Sequence, residues 1–463
     1  MSEIAKSFVA ADVDRSGTID ARTHRILHAP IVPLLTKLAL PNIVIMVAQA
    51  STGLIETFWV SKLGIDALAG MALVFPAVML MTTLSAGALG GSISSAVARA
   101  LGAGRRDEAD ALVLHAIIVN VIGGLAFSAV FLLLGGPIFR QLGGVGGELR
   151  AAVIYSTVVF SGNVFTWLMN GLASVVRGTG NMHYPAIVTF VGVLFLIPIS
   201  PMLIFGFGPI PAFGIAGGGI ALVAYYAAGT VAMLWYILTG RTPVRLCLAR
   251  VQPSILSGLL WAGALSSMNS ILTNIVIAGT TALVASFAGV IAVAGFGTAV
   301  WLEYLLIPLV FGIGAPLVSM VGTNLGAGKH QRARQIALSG ATIAFILTEV
   351  IGLTAAVLPE AWMELFTAEP SAIAAGSVYL RIVGPFYGFF GLGLSLYFAL
   401  QGAGRMFWPI LAGITRVAIA IGGGFIALRY GGSLVLLFAV LAASLGAYGT
   451  IIFTSVWFGR SIA

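Results

Sequence analysis

Long runs of apolar residues dominate the chain, and short polar or glycine-containing segments separate them. A helix that crosses a bilayer needs about 20 mostly apolar residues. Runs such as 111–122 show none of the alternation that a strand of a membrane barrel requires. The pattern therefore predicts an all-α integral membrane protein with twelve transmembrane helices, near residues 33–60, 68–98, 111–136, 150–176, 183–206, 214–239, 254–284, 289–322, 333–358, 372–400, 407–428 and 433–458.

The composition excludes a water-soluble fold. Of 463 residues, 59% are hydrophobic and 8% are charged, whereas a soluble domain carries about 25% charged residues. The single cysteine, Cys247, excludes an internal disulfide and any multi-cysteine metal site, and we predict neither metal nor cofactor. The net charge of +8 does not indicate nucleic acid as a partner, because the cations lie in short loops between apolar runs.

The basic residues predict the orientation of the chain, because loops rich in Lys and Arg stay in the cytoplasm. Loops after odd-numbered spans hold four of these residues, and loops after even-numbered spans hold eleven. We expect a multi-pass protein of the cytoplasmic (inner) membrane with both termini inside and no cleavable signal peptide. The eleven are Arg99, Arg105, Arg106, Arg177, Arg241, Arg245, Arg250, Lys329, Arg332, Arg334 and Arg405.

The chain repeats itself with a constant offset. The motif Leu-Gly-Ala-Gly at 101–104 recurs at 325–328, which is 224 residues later. Six spans separate the copies, so both copies face the same way, and the sequence predicts two parallel six-helix repeats around a central cavity. Other residues in this register are Tyr155 with Tyr379, Gly178 with Gly402, Gly180 with Gly404 and Pro185 with Pro409. The predicted units are a cytoplasmic tail (1–30), an N-lobe (31–240), a cytoplasmic linker (241–253) and a C-lobe (254–463).

Four segments and their second-half copies carry a further signal: Pro41 to Gly64, the tetrad 66–69, the loop 98–106 and the turn 177–181. Their sequences resemble those of the multidrug and toxic compound extrusion (MATE) transporters. The resemblance covers about residues 30 to 460. It implies a secondary antiporter that exports cationic amphipathic or toxic small molecules in exchange for protons or sodium ions. We further expect a monomer and no enzymatic activity. The alternative is a lipid or lipid-linked glycan flippase of the same superfamily.

Five charged residues lie well inside predicted spans. Inserting each charge into the membrane costs about 2.5 to 3.5 kcal/mol, so each residue is expected to have an ion-pair partner or a function. Glu303, Glu349, Arg381 and Arg416 lie in the second half as two acids and two bases. Glu56 is alone in the first half, with no deep Lys or Arg to pair with it. Glu349 is predicted to form a structural ion pair with Arg381 or Arg416.

Glu56 is the predicted proton carrier, because a carboxyl group shielded from water and from cations favours its protonated form. The resemblance supports this role, since the DNA-damage-inducible branch of the family carries an acid, usually aspartate, at the matching position. Two alternatives stay open: an un-ionised Glu56 that hydrogen-bonds a neighbouring helix, and one that reaches the outer interface near Gly64.

The resemblance also favours protons over sodium. Family members proposed to bind sodium carry an Asn and an Asp on the fifth span, and the matching positions here are Leu196 and Ser200. Another branch places acids on the seventh and tenth spans, which contain none here. A second cation-coupling site would use Glu303, either for a proton or as the counter-charge of a cationic substrate. The open alternative for Glu303 is an ion pair with Arg381 or Arg416.

Polar and aromatic residues are candidates for the substrate cavity, because aromatic faces attract lipophilic cations with little directionality. For each aromatic residue the alternative is helix packing or lipid contact. The candidates are Asn170, Trp167, Ser200, Trp301 and Tyr225. In the tail, residues 12–20 match the first nine positions of a calcium-binding loop, but the twelfth position is Thr23 instead of glutamate. Calcium binding there is the alternative to a plain cytoplasmic tail.

Overall fold

The structure is a computed structural model that describes residues 20–247, 250–459 and 462. These residues are almost entirely helical, and the one β feature among them is an isolated bridge between Phe207 and Ile210. Ten of the described helices are long and apolar enough to cross a membrane, and one bent pair makes an eleventh. The predicted first span is the helix Ile31–Ser61. The prediction of an all-α membrane fold is confirmed.

We number the spans in chain order and keep these numbers below. Spans 1 to 12 are Ile31–Ser61, Ile65–Gly102, Arg106–Gln141, the pair Gly146–Ser161 and Asn163–Gly178, His183–Phe205, Ile215–Leu238, Pro253–Gly289, Ile291–Gly326, His330–Val357, Pro370–Ala403, Phe407–Tyr430 and Leu434–Trp457. Several helices extend beyond the predicted apolar runs, because their ends continue as regular helix into the polar connections.

Four of the described spans depart from a regular α-helix, and one of them is span 10, which contains a 3₁₀ segment at Gly384–Phe386. Span 4 bends by 47° at Gly162, where a β-carbon would overlap the side chain of Val223. Spans 2 and 11 contain π-helical segments at Thr83–Leu89 and Ala418–Gly423. Such segments interrupt the regular hydrogen-bond ladder and often mark functional sites.

A short helix, Ala21–His28, precedes span 1, and we call it the amino-terminal helix. Asp20 caps its first turn through a side-chain oxygen. Ile26 and Leu27 are buried, so the last part of the predicted tail is packed against the bundle. The sequence missed this helix because its apolar pattern is only two turns long. The candidate calcium loop lies outside the described residues over 12–19.

The buried apolar residues form two clusters. One cluster draws on residues between 48 and 259. The other draws mainly on residues from 276 to 462 and also includes Leu34, Leu35 and Leu38 at the start of span 1. Each half of the chain therefore has its own core, and the first turns of span 1 pack with the second half.

The two copies of the repeated motif meet where spans 2 and 8 cross. A β-carbon on Gly102 would overlap the carbonyl oxygen of Thr323, and one on Gly326 would overlap the carbonyl oxygen of Arg99. The offset of 224 residues relates Gly102 to Gly326 and Arg99 to Thr323, so the two contacts are equivalent. The crossing is thus symmetric under exchange of the halves, as a pseudo-twofold axis between parallel repeats requires.

Serine hydroxyls bridge the halves beside this crossing in the same symmetric manner. Ser95 in span 2 donates to the carbonyl of Gly402 at 2.8 Å. Its repeat counterpart, Ser319 in span 8, donates to the carbonyl of Gly178 at 3.5 Å. The contacts close the bundle at the end that carries the Leu-Gly-Ala-Gly loops, which the distribution of basic residues predicts to be cytoplasmic.

Candidate functional site

Glu56 is buried in the first half of the bundle, with 4% of its surface exposed. The hydroxyl of Tyr155 in span 4 lies beside it. Its Oε1 atom faces Gly218 of span 6, where a β-carbon would lie 3.3 Å from that oxygen. Within the described part of the chain, Oε1 has no hydrogen-bond partner and Glu56 takes part in no salt bridge. A negative charge at this position would be buried without a cation beside it, which is costly.

Other polar side chains are buried in the first half as well. Ser200 in span 5 is 1% exposed and Tyr225 in span 6 is 8% exposed. The Ser200 hydroxyl has no partner among the described residues, whereas the Tyr225 hydroxyl faces Thr189. Buried polar groups without partners cost free energy unless water or a ligand reaches them. A role of both residues in the substrate cavity stays a prediction.

Asn170 connects spans 2 and 4. Its side-chain amide donates to the hydroxyl of Ser85 at 2.9 Å, and Ser85 belongs to the π-helical segment of span 2. Asn170 thereby ties the irregular part of span 2 to span 4. The sequence identified Asn170 but gave no sign of Ser85, because π-helical geometry has no reliable sequence signal.

The two tryptophans predicted to line the cavity differ in their exposure. Trp167 is buried against Gly123 and Gly124 of span 3, since the glycines leave room for its ring, so the structure shows helix packing instead of a cavity wall. Trp301 is 64% exposed, and its ring centroid lies 6.1 Å from that of Tyr304. The structure thus shows the packing alternative for Trp167, and the role of Trp301 in the substrate cavity stays a prediction.

Glu303 forms a buried ion pair with Arg416. The Arg416 guanidinium donates to Oε1 of Glu303 at 2.8 Å, and the Tyr379 hydroxyl donates to Oε2 at 3.2 Å. The guanidinium also lies over the rings of Phe390 and Tyr448. The structure thus selects Arg416 from the two candidate partners. A role of Glu303 in cation coupling stays a prediction.

The predicted ion pair of Glu349 is wrong in this structure. Arg416 is taken by Glu303, and Arg381 pairs with Glu360 at 2.6 Å. Glu349 instead accepts a hydrogen bond at 2.7 Å from the backbone N–H of Gly388. The reason is geometric: Glu360 lies in a five-residue helix, Pro359–Met363, that the apolar pattern did not reveal.

Breaking the Glu303–Arg416 pair is expected to destabilise the protein. Arg416→Met leaves the buried carboxylate without its cation, so we expect the free energy of unfolding to fall by about 3–5 kcal/mol. Arg381→Met breaks the exposed pair with Glu360 and should cost only about 0–1 kcal/mol. Thermal unfolding in detergent checks both variants. Equal stability of the two would show that the buried pair is not structural.

Sequence reasoning missed two of the residues that surround Glu56. Tyr155 and Gly218 come from spans 4 and 6, about 100 or more residues along the chain. Neither carries a charge or a motif that would have singled it out. Tyr155 had appeared only as a repeat position, and its counterpart Tyr379 donates a hydrogen bond to Glu303. The two acids therefore each face the tyrosine at the same position of the repeat.

Two six-span halves that meet symmetrically at one end, with a buried acid in each half, define a multi-pass membrane transporter. A family model described as MatE matches residues 41–202 and 266–426. The chain therefore belongs to the MatE family, as the sequence motifs suggested. Proteins of this family transport small molecules across membranes and are not enzymes.

Individual relatives show how far the similarity extends. The FAD transporter of Shewanella oneidensis is 26% identical, with 86% of this chain and 88% of that protein covered. The probable multidrug resistance protein NorM of Thermotoga maritima is 25% identical, with coverage of 83% and 82%. A crystal structure of a MATE protein in the bent conformation matches with a TM-score of 0.86 at 23% identity, covering 96% of this chain and 97% of that one. These matches confirm the fold over nearly the whole chain.

Proposed function

We propose that the protein exports cationic amphipathic or toxic compounds in exchange for protons, and that Glu56 carries the proton. The observation that carries this proposal is the burial of Glu56 beside Tyr155 without a cationic partner among the described residues. The neutral acid fits the low-dielectric interior, whereas the ionised acid needs water or a cation. Gain and loss of one proton thus favour different arrangements of the same helices.

Protons suit this site better than sodium. A sodium ion is held by several oxygen atoms. The side-chain oxygens that these contacts place beside Glu56 are the hydroxyls of Tyr155 and Tyr226, and Gly218 has no side chain to offer. Leu196 stands where the resemblance places an asparagine ligand. Coupling to sodium is the lesser alternative.

The substrate class rests on the family and on the relatives. NorM and other relatives are named as multidrug resistance proteins, which supports export of varied organic cations. A second candidate comes from the relative named as an FAD transporter, which would make the substrate an anionic dinucleotide. A lipid or lipid-linked glycan flippase is the remaining alternative.

We also propose the topology and the assembly that the sequence predicts. The protein acts as a monomer in the cytoplasmic membrane, with both termini inside and lobes at about 31–240 and 254–463. The basic loops support this orientation. On that view the structure is closed at its cytoplasmic end, where spans 2 and 8 cross.

Transport into inverted vesicles tests the proposed function. A fluorescent lipophilic cation should accumulate in vesicles with an acid interior and leave when the pH gradient is collapsed. A sodium gradient alone should have no effect. Uptake of FAD in place of the cation would show that the substrate is an anionic dinucleotide and not an organic cation. Uptake driven only by a sodium gradient would overturn proton coupling.

Crowding the Glu56 carboxyl is expected to reduce transport without loss of stability. Gly218→Ala places a β-carbon 3.3 Å from Oε1 of Glu56. We expect export to fall by about fivefold, because crowding of a packed site costs about 1 kcal/mol or more. Thermal stability should not fall, since alanine favours a helix over glycine by about 1 kcal/mol. Gly258→Ala, which meets open space, is the matched control, and equal transport by both variants would contradict this geometry.

A further inference from the structure

A cavity of about 310 Å³ lies at the end of the bundle that carries the Leu-Gly-Ala-Gly loops. Its walls come from the amino-terminal helix, the start of span 1, the turn between spans 4 and 5 and the last turns of span 6. It is separate from the surroundings of Glu56, and nothing in the proposed transport cycle requires it.

The cavity is strongly basic. Arg22, Arg25 and Lys37 line it, and no aspartate or glutamate is among its described lining residues. None of these three cations takes part in a salt bridge within the described part of the chain. A concave surface with cations of one sign concentrates anions.

The polar floor of the cavity presents a hydrogen-bond donor without an acceptor. The Tyr236 hydroxyl oxygen accepts from the side chain of Asn181 at 2.9 Å and from the Arg22 guanidinium at 3.5 Å. Asn181 and Tyr236 are each 7% exposed. With both bonds arriving at the oxygen, the hydroxyl hydrogen of Tyr236 has no acceptor among the described residues. Tyr184 stacks on Tyr236 with ring centroids 3.7 Å apart and holds that ring in place.

The remaining walls of the cavity are apolar. Leu34 and Leu38 of span 1 are buried beside it, and Ile187 of span 5 is exposed at its margin. A ligand that combines a negative headgroup with hydrocarbon chains matches such a surface. Basic pockets between membrane helices at the cytoplasmic side bind anionic lipid headgroups.

We propose that this cavity binds a phosphate-bearing anion, with the phosphate held by Arg22, Arg25, Lys37 and the Tyr236 hydroxyl. The apolar walls favour an anionic phospholipid over a soluble phosphate compound as its source. The site is independent of the transported substrate and of the coupling ion.

Occupancy has a consequence for the bundle. The amino-terminal helix is also fastened to the second half, because Asn324 and Lys329 donate to the carbonyls of Ile26 and Leu27 at 3.4 and 3.2 Å. An anion bound between this helix and Tyr236 connects span 6 of the first half to the second half. The ligand therefore stabilises the conformation that is closed at this end.

Lipid retention by the purified full-length protein tests the proposal. Native mass spectrometry and thermal unfolding are measured in detergent with phosphatidylglycerol, phosphatidylcholine or inorganic phosphate. The wild type should retain phosphatidylglycerol in preference to phosphatidylcholine and unfold at a higher temperature with it. Arg22→Gln/Lys37→Gln should weaken retention about tenfold or more. Arg250→Gln/Arg405→Gln removes two exposed cations at the same end and should leave retention unchanged.

Each outcome decides between the sources or rejects the site. Stabilisation by inorganic phosphate, with competition against phosphatidylglycerol, assigns the cavity to a soluble phosphate compound. The proposal is overturned if the two double variants retain phosphatidylglycerol equally. It is also overturned if the wild type neither prefers phosphatidylglycerol to phosphatidylcholine nor is stabilised by inorganic phosphate. If the Arg22→Gln/Lys37→Gln protein does not fold, Arg25→Gln supplies the same comparison, because Arg25 is exposed. Transport is not a readout here, so a failed test leaves the proposed export function untouched.

Discussion

Glu56→Gln is expected to abolish export driven by a pH gradient, while the protein still folds, inserts and binds substrate. Glutamine has nearly the shape of the neutral acid, so it keeps the contact with Tyr155 and mimics the protonated state. It cannot release a proton, and the helices therefore lose the change of charge that moves them between conformations. Uptake into inverted vesicles should fall to the level of vesicles without the protein.

Two further variants make this result specific. Glu56→Asp keeps an acid at the position and should retain part of the pH-driven uptake, whereas a purely structural role would be disturbed by the shorter side chain. Glu364→Gln removes an exposed carboxylate and should transport as the wild type does. Undiminished uptake by Glu56→Gln would remove this residue from the coupling mechanism.

The second large effect is expected at the crossing of spans 2 and 8. A β-carbon on Gly102 overlaps the carbonyl oxygen of Thr323, which is backbone and cannot turn aside. Overpacking of this kind costs about 1–3 kcal/mol, and that penalty applies only while the halves are closed at this end. Gly102→Ala should therefore lower the equilibrium ratio of the closed to the open conformation by about 5- to 150-fold and reduce transport with it.

The pseudo-twofold axis predicts a similar effect for the equivalent substitution in the second half. Gly326→Ala meets the carbonyl oxygen of Arg99 in the equivalent contact and should have a similar effect. Gly297→Ala, in the same span 8 but facing open space, is the control. Distances between spin labels at Arg105 and Lys329, in a background with Cys247 replaced by serine, report the opening. A wild-type distance distribution in Gly102→Ala would show that the crossing does not hold this end closed.

Most of the fold was predictable from the sequence, because a membrane-spanning helix is specified by one continuous apolar run. The repeat register between 101–104 and 325–328 also predicted two parallel repeats, and the structure brings the two copies of the motif together where spans 2 and 8 cross. What escaped prediction depends on local geometry. The amino-terminal helix is too short to show a pattern, and the bend at Gly162 depends on the fit of Val223 from span 6.

The candidate site was predictable only in part. Glu56 and Glu303 could be identified because each is a charged residue within a long apolar run. Placing a charge in the membrane is costly in any arrangement of the spans. The choice of Arg416 over Arg381 as the partner of Glu303 required the packing of spans 8, 10 and 11. The neighbours of Glu56 are uncharged residues from distant spans, so the sequence gave no reason to connect them with it.

Proton release on substrate binding tests the central claim most directly. Purified protein in weakly buffered detergent solution is mixed with a lipophilic cation, and the pH change is followed with an indicator dye. If Glu56 exchanges its proton for substrate, the wild type releases protons in proportion to the bound cation and Glu56→Gln releases none while binding it. Equal proton release by the wild type and Glu56→Gln would contradict the claim.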